Sequence, residues 1–194
     1  MTLSPAPLIL ASQSIYRQAL LQRLGLKFDC HAPHIDESRQ ANETVAKMVM
    51  RLGHKKADKI ASQHPTAWII ASDQSASFED KALGKPGGFD KALQQLLQMQ
   101  GKRVTFYTSL ILHTPTQRFE HLDETQVYFR TLSEAQLSHY LTQEEPYQCV
   151  GAFKSEGLGA CLFERIENND HSALIGLPLI QLAHWLTDLG RLLR

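Results

Sequence analysis

The sequence is short of three features that would point to a particular environment. Only 3 cysteines occur in 194 residues, they cannot all pair within one chain, and none lies in a close Cys-x-x-Cys or Cys/His cluster. The 20 basic and 20 acidic residues cancel, which excludes the broad positive surface that binds duplex nucleic acid or an anionic membrane. No run of about eighteen apolar residues occurs, and residues 1–7 have no basic region, so neither a membrane span nor a secretory signal is expected. The composition predicts a soluble, cytoplasmic protein with reduced thiols.

The chain does have enough apolar residues for a core. Hydrophobic residues make up 43% of the sequence, which suffices for a fold without disulfides. No internal repeat, low-complexity segment or long linker divides it. We therefore expect residues 1–194 to form a single domain, built as two lobes that share one active-site cleft.

Short apolar runs alternate with helical patterns along the chain. The runs 8–12 and 68–72 predict buried strands that end in small polar residues, and alternating segments predict strands at 27–31, 104–113 and 118–130. Helical spacing predicts helices at 16–24, 43–62, 89–99, 132–141 and 179–189, with Ser133 as the N-cap of the fourth. Ala19 and Leu97 are among the residues expected to face inward. This order favours an α/β fold with a mixed central sheet flanked by helices.

The turn at residues 12–17 has the composition of an anion-binding site. Ser12 and Ser14 supply hydroxyls, Arg17 supplies a guanidinium, and the start of the first helix supplies backbone N–H groups. Taken alone, the segment favours an ordinary helix N-cap.

Three carboxylates stand where a divalent cation could be bound. Asp36 and Glu37 are adjacent in a loop, and Asp73 directly follows a buried strand. Carboxylates in such positions hold Mg²⁺ or Mn²⁺ through one or two oxygens, with water and phosphate completing the shell. Surface turn chemistry is the alternative for Asp36 and Glu37, whereas an unpaired Asp73 would be costly to bury.

Two lysines and one glutamate complete the set of candidates. Lys85, in Gly-Lys-Pro, is rigidly aimed and suits charge neutralisation on a triphosphate. Lys56 lies in a helix next to Lys55, so taken alone it favours a solvated helix face. Glu156, in a glycine-bounded loop, can hydrogen-bond a base edge or can simply be exposed.

The order of these segments resembles the Maf family of nucleotide pyrophosphatases. The matching pieces span nearly the whole chain: Ala11-Ser-Gln-Ser-Ile-Tyr-Arg17, Asp36-Glu37, Lys55-Lys-Ala57, Ser72-Asp-Gln74, Gly84-Lys-Pro86, Thr105-Phe-Tyr-Thr108, Gly151-Ala-Phe-Lys-Ser-Glu-Gly157 and Gly176-Leu-Pro178. The resemblance implies a Maf/ITPase-like fold with a nucleotide cleft, a divalent metal cofactor and hydrolysis of a nucleoside triphosphate between its α and β phosphates. It also suggests a homodimer.

The resemblance assigns roles residue by residue. Ser12, Ser14 and Arg17 would bind the phosphates, and Lys56 and Lys85 would offset phosphate charge. Glu37 and Asp73 would hold the metal or activate water. Because an aspartate is a weak base near pH 7, we expect Asp73 to orient a metal-bound water.

Three positions indicate the nucleobase. The family branch that acts on dTTP and UTP has arginine, threonine and glutamine where this chain has Tyr16, Gln74 and Glu156, whereas the branch that acts on 7-methyl-GTP has an aromatic residue, glutamine and glutamate. The base 7-methylguanine is cationic, which an aromatic face and a carboxylate both favour. That branch usually has tryptophan at position 16, so the weaker cation–π partner Tyr16 implies reduced affinity or selectivity.

Two alternatives remain at this stage. One is a pyrophosphatase for dTTP, UTP or other non-standard nucleotides. The other is a nucleotide-binding regulator of cell division with little turnover. The pair His31 and His34 lacks a third ligand and is read as loop histidines, and Trp185 lies in an apolar stripe typical of a core or dimer contact.

Overall fold

A computed structural model describes residues 6–193. Most of the N-terminal segment considered above, residues 1–5, therefore lies outside the described residues. The strands are β1 Leu8–Leu10, β2 Asp29–Cys30, β3 Trp68–Ala71, β4 Gln74–Phe78, β5 Lys81–Leu83, β6 Arg103–His113, β7 Arg118–Phe129 and β8 Phe163–Glu167; the helices are α1 Ile15–Gln22, α2 Val45–Ala61, α3 Phe89–Met99, α4 Glu134–Glu144, α5 His171–Ile175 and α6 Leu179–Asp188. Within residues 6–193 no helix has both the length and the apolar character needed to span a bilayer.

The mixed α/β fold expected from the sequence is confirmed. β1 pairs in parallel with β2 and with β3, whereas β3 pairs with β6 antiparallel. The chain divides into two compact units: unit 1 comprises residues 1–73, 108–123 and 170–194, and unit 2 comprises residues 74–107 and 124–169. β6 and β7 contribute residues to both units.

The central strands of unit 1, β1 and β3, are buried on both faces. Successive strand residues point to opposite faces, so Leu10 and Ile70 pack with α1 and α6, whereas Ile9 and Ile69 pack with α2. This arrangement explains why β1 and β3 are continuous apolar runs rather than alternating ones. The first face is completed by Leu20, Leu21, Leu110, Leu112, Leu177, Leu182 and Leu186.

Unit 2 combines the β4–β5 hairpin, the helices α3 and α4, the strand β8 and parts of β6 and β7. β4 and β5 pair antiparallel, and the two residues that join them, Glu79 and Asp80, have φ of 50° and 61°, as a hairpin turn with right-handed strand twist requires. β7 pairs antiparallel with β8. The core contains a cluster of aromatic rings in edge contact: Phe106, Phe129, Phe153 and Phe163.

Several sequence-based boundaries are corrected by the structure. The strand predicted at 27–31 is reduced to the exposed pair Asp29–Cys30, because its side chains have little to pack against. Ala19 is exposed and Leu97 is 39% exposed, so each lies at the edge of its helix's apolar face. The strands β4 and β5 and the helix α5 had not been predicted, since each has five residues or fewer and short elements carry little periodicity.

Gly53 allows α2 to lie unusually close to β6. A Cβ built at this position would lie 2.5 Å from the Oγ of Ser109, well inside van der Waals contact. Ser109 is fully buried, so neither it nor the helix can shift without disturbing the core. We therefore expect Gly53→Ala to lower the free energy of unfolding by roughly 1–3 kcal/mol through overpacking, measured by urea denaturation.

Gly84→Ala is the control for this substitution, because a Cβ at Gly84 meets no atom within 4 Å. Within a helix such as α2, alanine is normally more favourable than glycine by about 1 kcal/mol, so without the close approach Gly53→Ala would stabilise the protein. A Gly53→Ala protein as stable as the wild type would therefore show that the close approach is not required.

Candidate active site

The turn between β1 and α1 carries two serine hydroxyls at the start of a helix. Ser14 is the N-cap of α1, and its Oγ accepts from the backbone N–H of Arg17 at 3.4 Å. The Oγ of Ser12 accepts from the backbone N–H of Ser14 at 3.1 Å. Neither hydroxyl donates its own proton to another described residue, so both protons are available to an anion at the helix start.

Arg17 is half-buried and is anchored through its Nε. This nitrogen donates to the carbonyl of Gly176 at 2.8 Å, and the Oγ of the buried Ser72 donates to the same carbonyl at 2.8 Å. Burial lowers the pKa of Arg17, while the charges of Asp73 and Glu37 raise it, and a guanidinium keeps its charge in either case. The two terminal nitrogens have no acceptor among residues 6–193, which leaves a fixed fork of donors for an oxyanion.

Lys56 bridges two carboxylates. Its Nζ lies 2.5 Å from Oδ1 of Asp73 and 2.8 Å from Oε1 of Glu37. The side chains of Lys56 and Asp73 are only 8% and 9% exposed, whereas that of Glu37 is 59% exposed. Lys56 and Asp73 thus form a buried pair of one positive and one negative charge. Glu37 approaches this pair from the solvent side. Oδ2 of Asp73 accepts no hydrogen bond from the described part of the chain.

The backbone of Asp73 is fixed as firmly as its side chain. Its N–H donates to Oγ of Ser109 at 3.0 Å, and its carbonyl accepts from the N–H of Ser109 at 2.9 Å. Gly53 packs on the same hydroxyl, as described above. Asp73 is thus held by α2 through Lys56 and by β6 through Ser109.

The loop that carries Glu37 is tied to α2 by an ion pair. Arg51 donates to both carboxylate oxygens of Glu43, at 2.6 and 2.8 Å, and also to the carbonyl of Ser38 at 3.1 Å. Asp36 accepts from the N–H and Oγ of Ser38, both at 2.9 Å, and these bonds lower its pKa. Asp36 therefore has the turn role that was the alternative for this pair, whereas Glu37 contacts Lys56.

The remaining predicted site residues, Tyr16, Gln74, Lys85 and Glu156, lie on four different parts of the fold. Tyr16 is half-buried in the first turn of α1, in unit 1. Gln74 is the first residue of β4, Lys85 is exposed before α3, and Glu156 is exposed in a turn after the 3₁₀ helix Val150–Ala152; all three belong to unit 2. Their roles in substrate binding stay predictions.

The structure adds supporting residues that the sequence did not single out. Asp170 caps α5 by accepting from the N–H and Oγ of Ser172, and it also accepts from the N–H of Ile180 in α6 at 2.7 Å. These bonds fix the segment between α5 and α6 that presents the Gly176 carbonyl to Arg17 and Ser72. The only sequence signal for this segment was Gly176-Leu-Pro178 within the family pattern. The pair His31 and His64 forms an edge contact with ring centroids 4.6 Å apart.

The carboxylates fit a divalent cation of a particular kind. Among residues 6–193 no three His, Cys, Asp or Glu side chains converge on one point, so the described residues form no closed metal cage. Glu37 and Asp73 lie within hydrogen-bond reach of one ammonium, which shows that both can approach a single cation. Two carboxylates suit Mg²⁺ or Mn²⁺ that takes its remaining ligands from phosphate and water.

Known proteins resemble this chain in sequence and in fold. Residues 7–189 match the family model described as Maf-like protein. A relative from Hydrogenovibrio crunogenus, named 7-methyl-GTP pyrophosphatase, is 51% identical over 92% of this chain and 90% of the relative. A relative of the same name from Saccharophagus degradans is 48% identical over 91% of each chain. Among solved structures, a HAM1 protein from Coxiella burnetii has the same fold, with a TM-score of 0.50 at 11% identity over 94% of this chain and 99% of that chain.

Removing the bridging ammonium is expected to destabilise the protein. Lys56→Met leaves Asp73 buried without a partner, and breaking a buried ion pair costs roughly 3–5 kcal/mol. Chemical denaturation measures the loss. Adding Asp73→Asn should recover part of it, because no buried carboxylate is then left without its ion-pair partner.

Lys55→Met is the matched control for Lys56→Met, since Lys55 is the exposed neighbour on the same helix. It should leave stability unchanged within about 0.5 kcal/mol. Equal losses for Lys55→Met and Lys56→Met would contradict a specific role for the bridge.

The Arg51–Glu43 ion pair, which acts as a brace on the loop that carries Glu37, is expected to weaken in acid. Hydrogen bonds from Arg51 are the main cause that lowers the pKa of Glu43 from 4.5 to about 2. A lowered pKa in the folded state gives stabilisation that is fully present above pH 4.5 and is lost as the pH falls towards 2. The difference in thermal midpoint between wild type and Glu43→Gln should therefore shrink over that range.

Glu164→Gln serves as the control for this pH series, because Glu164 is exposed and makes no ion pair with another described residue. Its difference from the wild type should stay constant with pH. A Glu43→Gln difference that does not change between pH 5 and pH 2.5 would refute the brace.

Proposed function

The chain belongs to the Maf-like protein family, and from this premise we propose that it hydrolyses 7-methyl-GTP to 7-methyl-GMP and diphosphate. The observation that carries the proposal is the fixed Asp73 carboxylate, held by Lys56 through one oxygen and with its second oxygen unengaged by the described residues. Phosphate-binding groups are available on the same unit. The names of the two relatives support 7-methylguanine as the nucleobase of the substrate.

Phosphate binding is assigned to the start of α1. The hydroxyls of Ser12 and Ser14 each have a proton to donate, and the Arg17 fork is held in place by Gly176. Helix N–H groups, hydroxyls and a guanidinium together match the oxygens of a polyphosphate. Lys85 supplies further positive charge from the rigid turn before α3.

Asp73 is assigned to orienting the attacking water. Near pH 7 a carboxylate is a weak general base, so its contribution is to hold the water through Oδ2 in line with the α phosphorus. The water oxygen bonds to that phosphorus, the bond to the bridging oxygen breaks, diphosphate leaves, and the water proton passes to solvent. Glu37 and Asp73 are the residues that would hold Mg²⁺ or Mn²⁺, which when bound lowers the pKa of a coordinated water and neutralises phosphate charge.

Base recognition is assigned to Tyr16, Gln74 and Glu156. The 7-methylguanine ring carries a positive charge, and an aromatic face attracts a cation by about 0.5–2 kcal/mol. A carboxylate at Glu156 accepts from the N1–H and the exocyclic amine of the same base. These groups favour the methylated purine over uracil or thymine, which offer neither the charge nor that pair of donors.

The setting of the protein follows from the same proposal. A cytoplasmic location is supported by its three cysteines, none of which forms a disulfide, as in compartments where thiols stay reduced. A homodimer is proposed from the family resemblance. Trp185 packs against Phe119 of the same chain, with ring centroids 5.5 Å apart, which is the core contact that the sequence allowed.

The proposal is tested by diphosphate release from 7-methyl-GTP, GTP, dTTP, UTP and ITP, with Mg²⁺ or Mn²⁺. Wild type should turn over 7-methyl-GTP with the highest kcat/KM. Asp73→Asn should lower kcat by roughly 10²-fold, because the attacking water is then no longer held in line with the α phosphorus. Asp36→Asn is the matched control, because it changes a nearby carboxylate that only caps a turn, and it should retain wild-type activity.

Each result of this assay decides between defined readings. If UTP or dTTP is preferred, the assignment of Tyr16 and Glu156 fails while the reaction stands. If no triphosphate is hydrolysed but equilibrium dialysis shows binding, the protein is a nucleotide-binding regulator. Equal activity of Asp73→Asn and wild type would remove Asp73 from the mechanism.

A further inference from the structure

The turn that carries Glu156 is closed by its own backbone. The N–H of Gly157 donates to the carbonyl of Lys154 at 3.3 Å, which places Ser155 and Glu156 at the two central positions of the turn. Lys154, at the start of this turn, and Leu158, directly after it, are both bound to α4. Glu156 is exposed at the second central position.

Glu144, the last residue of α4, makes most of these bonds. Its Oε1 accepts from the N–H of Leu158 at 2.9 Å, and its Oε2 lies 3.5 Å from Nζ of Lys154. Its main-chain carbonyl accepts from the same Nζ at 2.5 Å. That carbonyl belongs to the set left without partners at a helix end, so Lys154 also caps α4.

Two further contacts hold the turn against α4. The Oη of Tyr140, one helical turn before Glu144, accepts from the backbone N–H of Lys154 at 3.2 Å. Tyr140 is only 4% exposed, so it is a rigid support. A Cβ at Gly157 would lie 2.9 Å from Oε1 of Glu144, which shows how closely the turn sits on this carboxylate.

Lys154 is therefore engaged on three sides by its own protein. Its Nζ is bound to Glu144 twice and its N–H to Tyr140, while a Cβ at Gly159 would overlap its carbonyl oxygen. The side chains of Lys154 and Glu144 are 27% and 20% exposed. With these contacts the Lys154 side chain fixes the turn to α4 and is not directed to a ligand.

We propose that Glu144 is a positioning residue for base selection, which orients Glu156 by clamping the Lys154–Gly157 turn to α4, and that Lys154 acts as a strut in the same clamp. This inference rests on the proposed function, because it takes Glu156 as the group that reads the base. A carboxylate that recognises two adjacent donors must be placed within a fraction of an ångström, and misplacement by about 1 Å is enough to cost up to 10²-fold in rate. Position 144 thus contributes to selectivity through Glu156, without touching the nucleotide.

The test compares Glu144→Ala with Glu145→Ala, two neighbouring glutamates of which only the first contacts the turn. Glu144→Ala should raise KM for 7-methyl-GTP roughly tenfold while kcat changes less than about twofold, because binding of the base is lost equally in ground and transition states. KM for UTP should be unchanged. Glu144→Gln, which keeps an acceptor for the N–H of Leu158, should recover part of the loss, and Glu145→Ala should match the wild type.

A double-mutant cycle distinguishes a strut from a ligand at position 154. If Lys154 acts through Glu144, Lys154→Met together with Glu144→Ala should raise KM no more than the larger single substitution. Additive increases would show that Lys154 binds substrate itself and would overturn its assignment as a strut. Amide hydrogen exchange of residues 154–158 should be faster in Glu144→Ala than in the wild type, which reports the clamp without any substrate.

The outcomes separate this inference from the proposed function. If the wild type prefers another triphosphate, the proposed substrate is wrong. The role of Glu144 is then tested by comparing wild type and Glu144→Ala in the ratio of KM between the preferred and the poorest substrate. An equal loss for every triphosphate in Glu144→Ala, or no change in any, overturns the positioning role. Faster exchange at residues 154–158 with unaltered selectivity does so as well.

Discussion

The ammonium of Lys56, placed between Asp73 and Glu37, is the interaction on which the rest of the site depends. Burying a carboxylate such as Asp73 is costly unless a charge partner and hydrogen bonds accompany it. Lys56 supplies the partner at 2.5 Å, and Ser109 supplies backbone bonds. Because the pair is buried, its geometry is fixed by packing, and that rigidity suits the water-orienting role proposed for Asp73.

This constraint accounts for features of unit 1 that have no chemistry of their own. α2 must come close enough to the sheet to deliver Lys56, and Gly53 is the residue that permits the approach to Ser109. The same helix carries Arg51, whose ion pair with Glu43 ties down the loop bearing Glu37. One helix thus sets both carboxylates relative to the ammonium, while Gly176 sets Arg17. The helices and strands that position these polar residues are themselves held by the apolar core of unit 1.

In unit 2 the turn that carries Glu156 is held in a similar way, by contacts with a helix. Glu156 is exposed and lies in a turn, and turns are the most variable parts of a fold. Anchoring both ends of that turn to the last residues of α4 gives it the rigidity that secondary structure would otherwise supply. Glu144 performs this role with its carboxylate and its main-chain carbonyl, so the C-terminus of α4 supports the turn for which base recognition is proposed.

Sequence patterns alone predicted the α/β character, the main helices, the N-cap at Ser133 and the family, because hydrophobic periodicity and ordered motifs can be read along the chain. They also indicated Asp73 as a carboxylate that needs a partner. The folded structure was needed to show that the partner is Lys56, for which the sequence favoured a solvated helix face, that Asp36 caps a turn, and that Lys154 binds Glu144. The physical reason is that an ion pair or clamp joins residues far apart in the chain, and their approach depends on packing between elements, which no local pattern encodes.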